Sequence, residues 1–226
     1  YQQQLRDKST ETDAITTLDF LSGLSFIDCE FDDEVRLRDA TIRGGLICSR
    51  SEFAGGADFQ GVRVLGPQFA FDGAVFYKNA KFQRLDVLPN ANFVKAKFKK
   101  QVDFQQSIFR TDLLMGALAV DDYLGMNSVT VLGGLFLNEA TVKGRALMNN
   151  AQLHGRAEFM KAQFGEFLRF ENSVFAGPTR FVETAVVKPV SFKGTQFVVY
   201  PKDFDFNTTR EIRKAFDFEG SNLAED

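Results

Sequence analysis

Few residues in this chain could do chemistry, and their spacing decides which kind. There is one histidine, His154, and there are two cysteines, Cys29 and Cys48. Nucleophilic catalysis needs a Ser or Cys within reach of an imidazole, and a zinc site needs several His or Cys ligands. His154 stands alone in the run Gln152-Leu153-His154-Gly155 and reads as a surface imidazole beside a glycine corner. The cysteines show no C-x-x-C spacing and have no second histidine to join them. Asp32-Asp33-Glu34 and Asp121-Asp122 are the carboxylate clusters; solvated turns account for them, and weak divalent-cation binding is the alternative chemistry. No catalytic, cofactor-binding or metal-ligating residue is assigned, no cofactor is expected, and the chain reads as a non-enzyme.

Composition narrows the function classes further. The 226 residues suffice for one sizeable domain with its own core, at 44% apolar and 25% charged. The anomaly is 26 Phe beside 4 Tyr and no Trp, which implies one kind of slot filled many times. A net charge of -3 gives no basic field for nucleic acid or anionic lipid, and too little negative charge for a polyanion mimic. No apolar run is long enough to cross a bilayer. The chain begins at Tyr1 without an initiator Met or a signal-peptide pattern, so it is expected to be processed or a segment of something longer. Both cysteines are expected as buried thiols. The expected location is cytoplasmic, with any membrane association supplied by sequence outside these residues.

What would position side chains in such a protein is visible between Ala157 and Phe175, AEFMKAQFGEFLRFENSVF. Phe159, Phe164, Phe170 and Phe175 recur at alternating steps of five and six, a period of neither helix nor strand. The same register runs from Phe20 through Phe26, Phe31, Leu37, Ile42, Cys48, Phe53, Phe59 and Val64. It resumes at Phe71 after one longer step and continues to Phe197, apolar at every position. Two residues before each such centre stands a small or aliphatic residue, most often Ala. Two inward residues flanking one outward residue describe a very short strand followed by a bend. Gly44, Gly55, Gly66, Gly133, Gly144, Gly155 and Gly177 fall two residues after a centre in six-residue steps. They are expected there because Gly accepts the positive φ of a tight corner.

With units such as Ala57-Asp58-Phe59, Ala91-Asn92-Phe93 and Ala157-Glu158-Phe159, residues 20 to 197 resemble the pentapeptide-repeat family. The alternating five and six around Phe resemble its Phe-rich branch. The resemblance implies an all-β fold, a right-handed quadrilateral parallel β-helix with four short faces per coil. Faces of five, six, five and six residues make a 22-residue coil, so the solenoid has about eight coils and a rod length of roughly 35–40 Å. Departures are Leu113, Leu118 and Leu124 two before the centre, and the extra residue near Pro67. One stacked column is expected to read Leu37, Phe59, Phe82, Phe104, Met126, Met148, Phe170, Phe192. Its Met, with Val nearby, predicts a narrower or looser waist around residues 115 to 150. Residues 1–19 are expected to form an N-terminal cap or leader, 20–200 the β-helix, and 201–226 a C-terminal helical cap leading into further sequence. The cap centres on a helix from Thr208 to Phe218 opened by a Thr208/Glu211 capping box. Ser221-Asn222-Leu223 begins either another repeat unit or a second helix.

The register also sorts outward residues. The face centred on Phe26, Cys48, Phe71, Phe93, Met115, Leu137, Phe159 and Phe181 carries a candidate interaction strip. It consists of Ile47, Val94, Leu114, Phe136, Met160 and Val182. The adjoining face adds Leu21, Leu65, Leu88, Ile108, Leu132 and Val174, while the other two mix charges such as Arg36, Asp58, Lys81, Lys97 and Asp103. An exposed apolar strip marks a contact surface, and corners this tight leave no catalytic cleft. The expected function is a non-catalytic scaffold or protein-interaction module, a rigid rod meeting a protein partner, a homodimer mate or its own chain through the apolar face. The alternatives are a DNA-mimic topoisomerase-protecting protein and a soluble module of a membrane-associated protein. No nucleic-acid partner is expected, and a membrane only indirectly.

Overall fold

The structure, a computed structural model, describes residues 18–199 together with the strands Asp203–Asn207 and Asn222–Leu223. Nearly every repeat step contributes a strand of two residues, the second of a pair or the first being inward, and the chain then bends. Two residues cannot bury a hydrophobic face alone, so each strand depends on parallel pairing with the equivalent strand one coil away. Four ladders result, hereafter faces 1 to 4, beginning with Asp19–Phe20, Leu24–Ser25, Glu30–Phe31 and Val35–Arg36. Coils are numbered from Phe20, so coil 1 holds Phe20, Phe26, Phe31 and Leu37, and about eight coils follow one another. The all-β parallel solenoid expected from the sequence is thus the architecture found.

Register follows the coil length. Asp19 pairs with Thr41 and Lys97 with Ala119, whereas Leu46 pairs with Phe69 and Arg63 with Asp86, one residue further on. The extra residue is taken up at Gly66-Pro67, and the next coil returns to the shorter repeat: Phe69 pairs with Ala91. Faces 2 and 3 merge into one sheet at Thr179–Val186, a continuous strand that rounds their shared corner. Pairing also extends beyond Phe197. Asp203–Asn207 lies on Thr179–Val186 with a register shift between Phe181 and Thr184, and Asn222–Leu223 pairs with Gln196–Phe197. Of the two readings of Ser221-Asn222-Leu223, another repeat unit is therefore the one seen. Residues 1–17 and the expected helix from Thr208 to Phe218 lie outside the described residues; within them there is no helix.

The core is a stack of rings. Phe82 lies 5.1 Å from Phe59 and 5.2 Å from Phe104, within 9° and 12° of parallel. Phe53, Phe76 and Phe98 repeat the arrangement on face 3 at 4.5 and 4.6 Å, and Phe159–Phe181 and Phe175–Phe197 do so near the far end. Rings of different faces mostly meet edge to face, the other favoured ring geometry, as in Phe53–Phe59, Phe76–Phe82 and Phe82–Phe93. The waist expected at 115–150 is filled. Met115, Val120, Met126, Val131, Leu137, Val142 and Met148 are all buried, and Leu113, Leu118, Leu124 and Leu135 stand where the Phe-rich coils mostly place Ala. Volume lost at the centre is restored two residues earlier by these leucines.

The corners correct one expectation. Positive φ occurs, Gly56 apart, in the five-residue steps, two after the centre, and most residues there are not glycine: Arg50, Arg84, Lys95, Ala117, Glu139, Lys161 and Glu183 have φ between 51° and 60°. Most of these turns close on a backbone hydrogen bond, as in Ala96 N donating to Phe93 O at 3.0 Å, with the left-handed residue third in the turn; the Phe82–Leu85 turn is bridged by Ser107 instead. The glycines named from the six-residue steps have ordinary φ. They are glycine because the next coil leaves no room: a Cβ on Gly155 would lie 2.5 Å from the Gly133 carbonyl carbon, and one on Gly66 would overlap the Gly44 carbonyl. The extra residue of a six-residue step spreads the bend, so apart from Gly56 no left-handed residue is used there.

Buried serines repair turns that would otherwise open. Ser107 Oγ donates to Phe82 O at 2.7 Å and accepts from Leu85 N at 3.0 Å, bridging both ends of the turn one coil above. Ser51 does the same for Phe26 O and Cys29 N, and Ser173 for Met148 O and Ala151 N. Each hydroxyl is inside the apolar core yet fully satisfied, the condition for burying it at little cost.

Candidate interaction surface

Outward residues fall in two columns per face, one before and one after each centre. On face 2 the ladder pairs Ser25, Ile47, Ala70, Asn92, Leu114, Phe136, Glu158 and Arg180 in sequence. The second column holds Ile27, Ser49, Asp72, Val94, Gly116, Asn138, Met160 and Val182. All six strip residues are half-buried on this face. The structure brings Leu114 and Phe136 together as direct ladder partners, sets Met160 beside Val182, and sets Ile47 beside Ala70. Val94 stands between Asp72 and Gly116. The strip is therefore a set of apolar patches in two columns, with polar residues between.

Those polar residues are satisfied within the molecule. Asn138 Oδ1 accepts from Met160 N at 3.0 Å while its amide donates to Glu158 at 3.1 Å, and Arg156 holds the same carboxylate. Asn92 Oδ1 accepts from Val94 N, and Ser49 Oγ donates to Asp72 at 2.6 Å. Groups already bonded internally lose less on desolvation, so the patches can be covered without stranding them. Phe136 is supported from below: a Cβ on Gly134 would lie 2.5 Å from its ring, so glycine is what lets the ring lie flat.

Face 1 carries the more exposed apolar side chains. Its second column runs Leu21, Arg43, Leu65, Leu88, Arg110, Leu132, His154, Ala176, Val198, with Leu21 80% and Val198 58% exposed. The arginines of this column are held by acids of the neighbouring one, Arg43 by Asp19 and Arg110 by Asp86, at 2.7–3.2 Å. The Arg43 hydrogen bonds hold the Asp19 carboxyl below its usual range. The sequence pattern marks this as the adjoining face; how far each side chain stands out of it depends on how the corners pack.

The other chemistry-bearing residues are dispersed. His154 is an exposed member of the face 1 column in coil 7, far along the rod from Cys29 and Cys48 in coils 1 and 2. Among the described residues no three His, Cys, Asp or Glu side chains are grouped to hold a metal ion, and no helix is long and apolar enough to cross a membrane. On face 4 the sign of charge alternates along the ladder, Arg36, Asp58, Lys81, Asp103, and Asp58 is held by Arg38 and Lys81 at 3.7 and 3.5 Å. Cys48 is buried, and that burial, followed by the neighbouring Cys29, pushes its thiol well up; Cys29 is half-buried in coil 1. A thiol reagent at pH 8 should therefore modify Cys29 in the native protein and reach Cys48 only on unfolding. Equal rates in a stopped-flow titration would mean that the first two coils open readily.

Compared with models of known protein families and with curated proteins, the chain matches none.

Proposed function

We propose that this chain is a non-catalytic scaffold of the pentapeptide-repeat type, a rigid rod that presents faces 1 and 2 to a protein partner. The observation that carries this reading is the recurrence of outward apolar side chains on two adjoining faces, with the polar groups between them already satisfied. Two-residue strands, a 22-residue coil and paired inward positions support the family assignment. Tight corners on every side favour contact over catalysis, since a reactive site needs walls that exclude water. The alternating signs on face 4 lack the unbroken acidic column that DNA mimicry requires.

A photocrosslinking residue placed at Leu114 should give a discrete protein adduct in a native extract, while the same residue at Arg38 on face 4 gives none. The pair Leu114→Glu/Phe136→Glu should abolish that adduct at other strip positions and shift thermal unfolding by only a few degrees. Equal labelling from both faces, or collapse of the rod on substitution, would assign these side chains to packing and overturn the reading.

A further inference from the structure

Face 3 is polar where faces 1 and 2 are apolar, and its charges are sorted by coil. Coil 1 presents Glu30, Asp32 and Asp33, and coil 4 presents Lys97, Lys99 and Lys100. Glu30 sits on Glu52 in the ladder, a like-charge contact that costs stability, and Lys100 follows Lys78 by one coil. Among the described residues Glu30, Asp32, Asp33, Lys97 and Lys100 form no ion pair; Lys99 is 3.5 Å from Asp121. Two self-repelling clusters of opposite sign, three coils or about 14 Å apart, lie on one flat face.

Between them, coils 2 and 3 present Glu52, Ala54, Val75 and Tyr77. The first column reads Glu30, Glu52, Val75, Lys97 and the second Asp32, Ala54, Tyr77, Lys99. Glu52 is engaged by the Tyr77 hydroxyl at 2.9 Å. The register has a geometric consequence. A twofold axis lying in the plane of the face, perpendicular to the rod and level with the gap between coils 2 and 3, exchanges coil 1 with coil 4 and keeps each column opposite itself. It sets Glu30 against Lys97, Asp32 against Lys99 and Asp33 against Lys100 of the other copy, and each pair occurs twice. Ala54 meets Tyr77 and Glu52 meets Val75 beside the axis.

We propose that face 3 is a self-association surface that pairs two copies of this chain antiparallel, coils 1–4 against coils 4–1. The proposal goes beyond the partner surface on faces 1 and 2, does not rest on it, and leaves it free. The overlap is about 19 Å of rod across a face about 10 Å wide, roughly 200 Å² per copy and well short of the roughly 800 Å² per partner of a stable complex. The pairing is accordingly weak, driven by charge complementarity and screened by salt.

Sedimentation equilibrium of the whole chain tests this. At about 20 mM salt the average mass should climb from 25.4 kDa toward twice that value as concentration rises, and it should fall back at about 0.5 M salt, where screening is within a few ångströms. The variants Glu30→Lys/Asp33→Lys and Lys97→Glu/Lys100→Glu should each stay monomeric alone and associate when mixed, because every facing pair then has opposite sign again. All four positions are exposed, so unchanged circular dichroism should accompany both. Leu114→Glu/Phe136→Glu should self-associate as the unsubstituted protein does. A wild type monomeric at every concentration in low salt, variants that associate alone, or a mixture that stays monomeric would each overturn the proposal.

Discussion

Replacing Phe82 with Ala is expected to destabilise the rod by about 3–5 kcal/mol, read as a lower urea midpoint followed by circular dichroism. Phe82 is fully buried and sits between the parallel rings of Phe59 and Phe104. It also meets Phe71, Phe76 and Phe93 edge to face at 5.2–5.9 Å. Truncation removes the transfer energy of a benzyl group and every one of these ring contacts. The void cannot collapse easily, because the strand Ala80–Lys81 is held on both sides, by Ala57–Asp58 and Val102–Asp103. Contacts in a solenoid are nearest-neighbour, so coils 1–2 should lose their coupling to the rest and the transition should broaden or split. A loss near 1 kcal/mol with a single sharp transition would show that neighbouring coils repack across the gap.

The centre register was readable from residue types because it obeys a one-way rule. An inward position closed on four sides and stacked above and below tolerates only apolar groups, so Phe20 to Phe197 announces itself. The outward columns followed from the same counting, which is how Ile47, Leu114 and Phe136 were placed on one face. Corner chemistry was not readable in this way. Left-handed backbone at Arg50, Lys95 and Glu139 is imposed by the step length and held by the coils on either side, so residue identity carries no mark of it. Ser107 and Ser173 looked like small fillers, because the turn they bridge belongs to the coil above and is distant in sequence. The charge sorting on face 3 was equally hidden. Asp32-Asp33-Glu34 is a solvated turn when read alone, and only the coil register puts Asp32 and Asp33 on the same face as Lys97 to Lys100, three coils away. Resumption of pairing at Asp203 was obscured by the register shift near Phe181, which displaces the expected centre by one residue.

Gly155→Ala should cost as much as a core truncation, about 3–5 kcal/mol, although it adds one methyl group to a residue with ordinary φ. The added Cβ would press on the Gly133 carbonyl and lie 2.9 Å from Gly134 N. These are backbone atoms that cannot swing aside as a side chain would. Gly155 N donates to that same carbonyl at 3.1 Å, so relieving the clash breaks a hydrogen bond and disturbs the corner of two coils. Gly177 bears on Gly155 in the same way, which makes this corner a column of close backbone contacts. Ala117→Gly is the opposing test. Ala117 has a φ of 51°, a region that costs a residue with a Cβ about 1 kcal/mol. Relief of that strain exceeds or balances the extra unfolded-state entropy of glycine, so Ala117→Gly should raise stability or leave it within about 0.5 kcal/mol. If positive φ rather than close approach were the reason for glycine at 155, Gly155→Ala would cost only about 1 kcal/mol, the same strain that Ala117→Gly relieves. Paired thermal melts of the two variants decide between close approach and backbone conformation as the determinant of these corners.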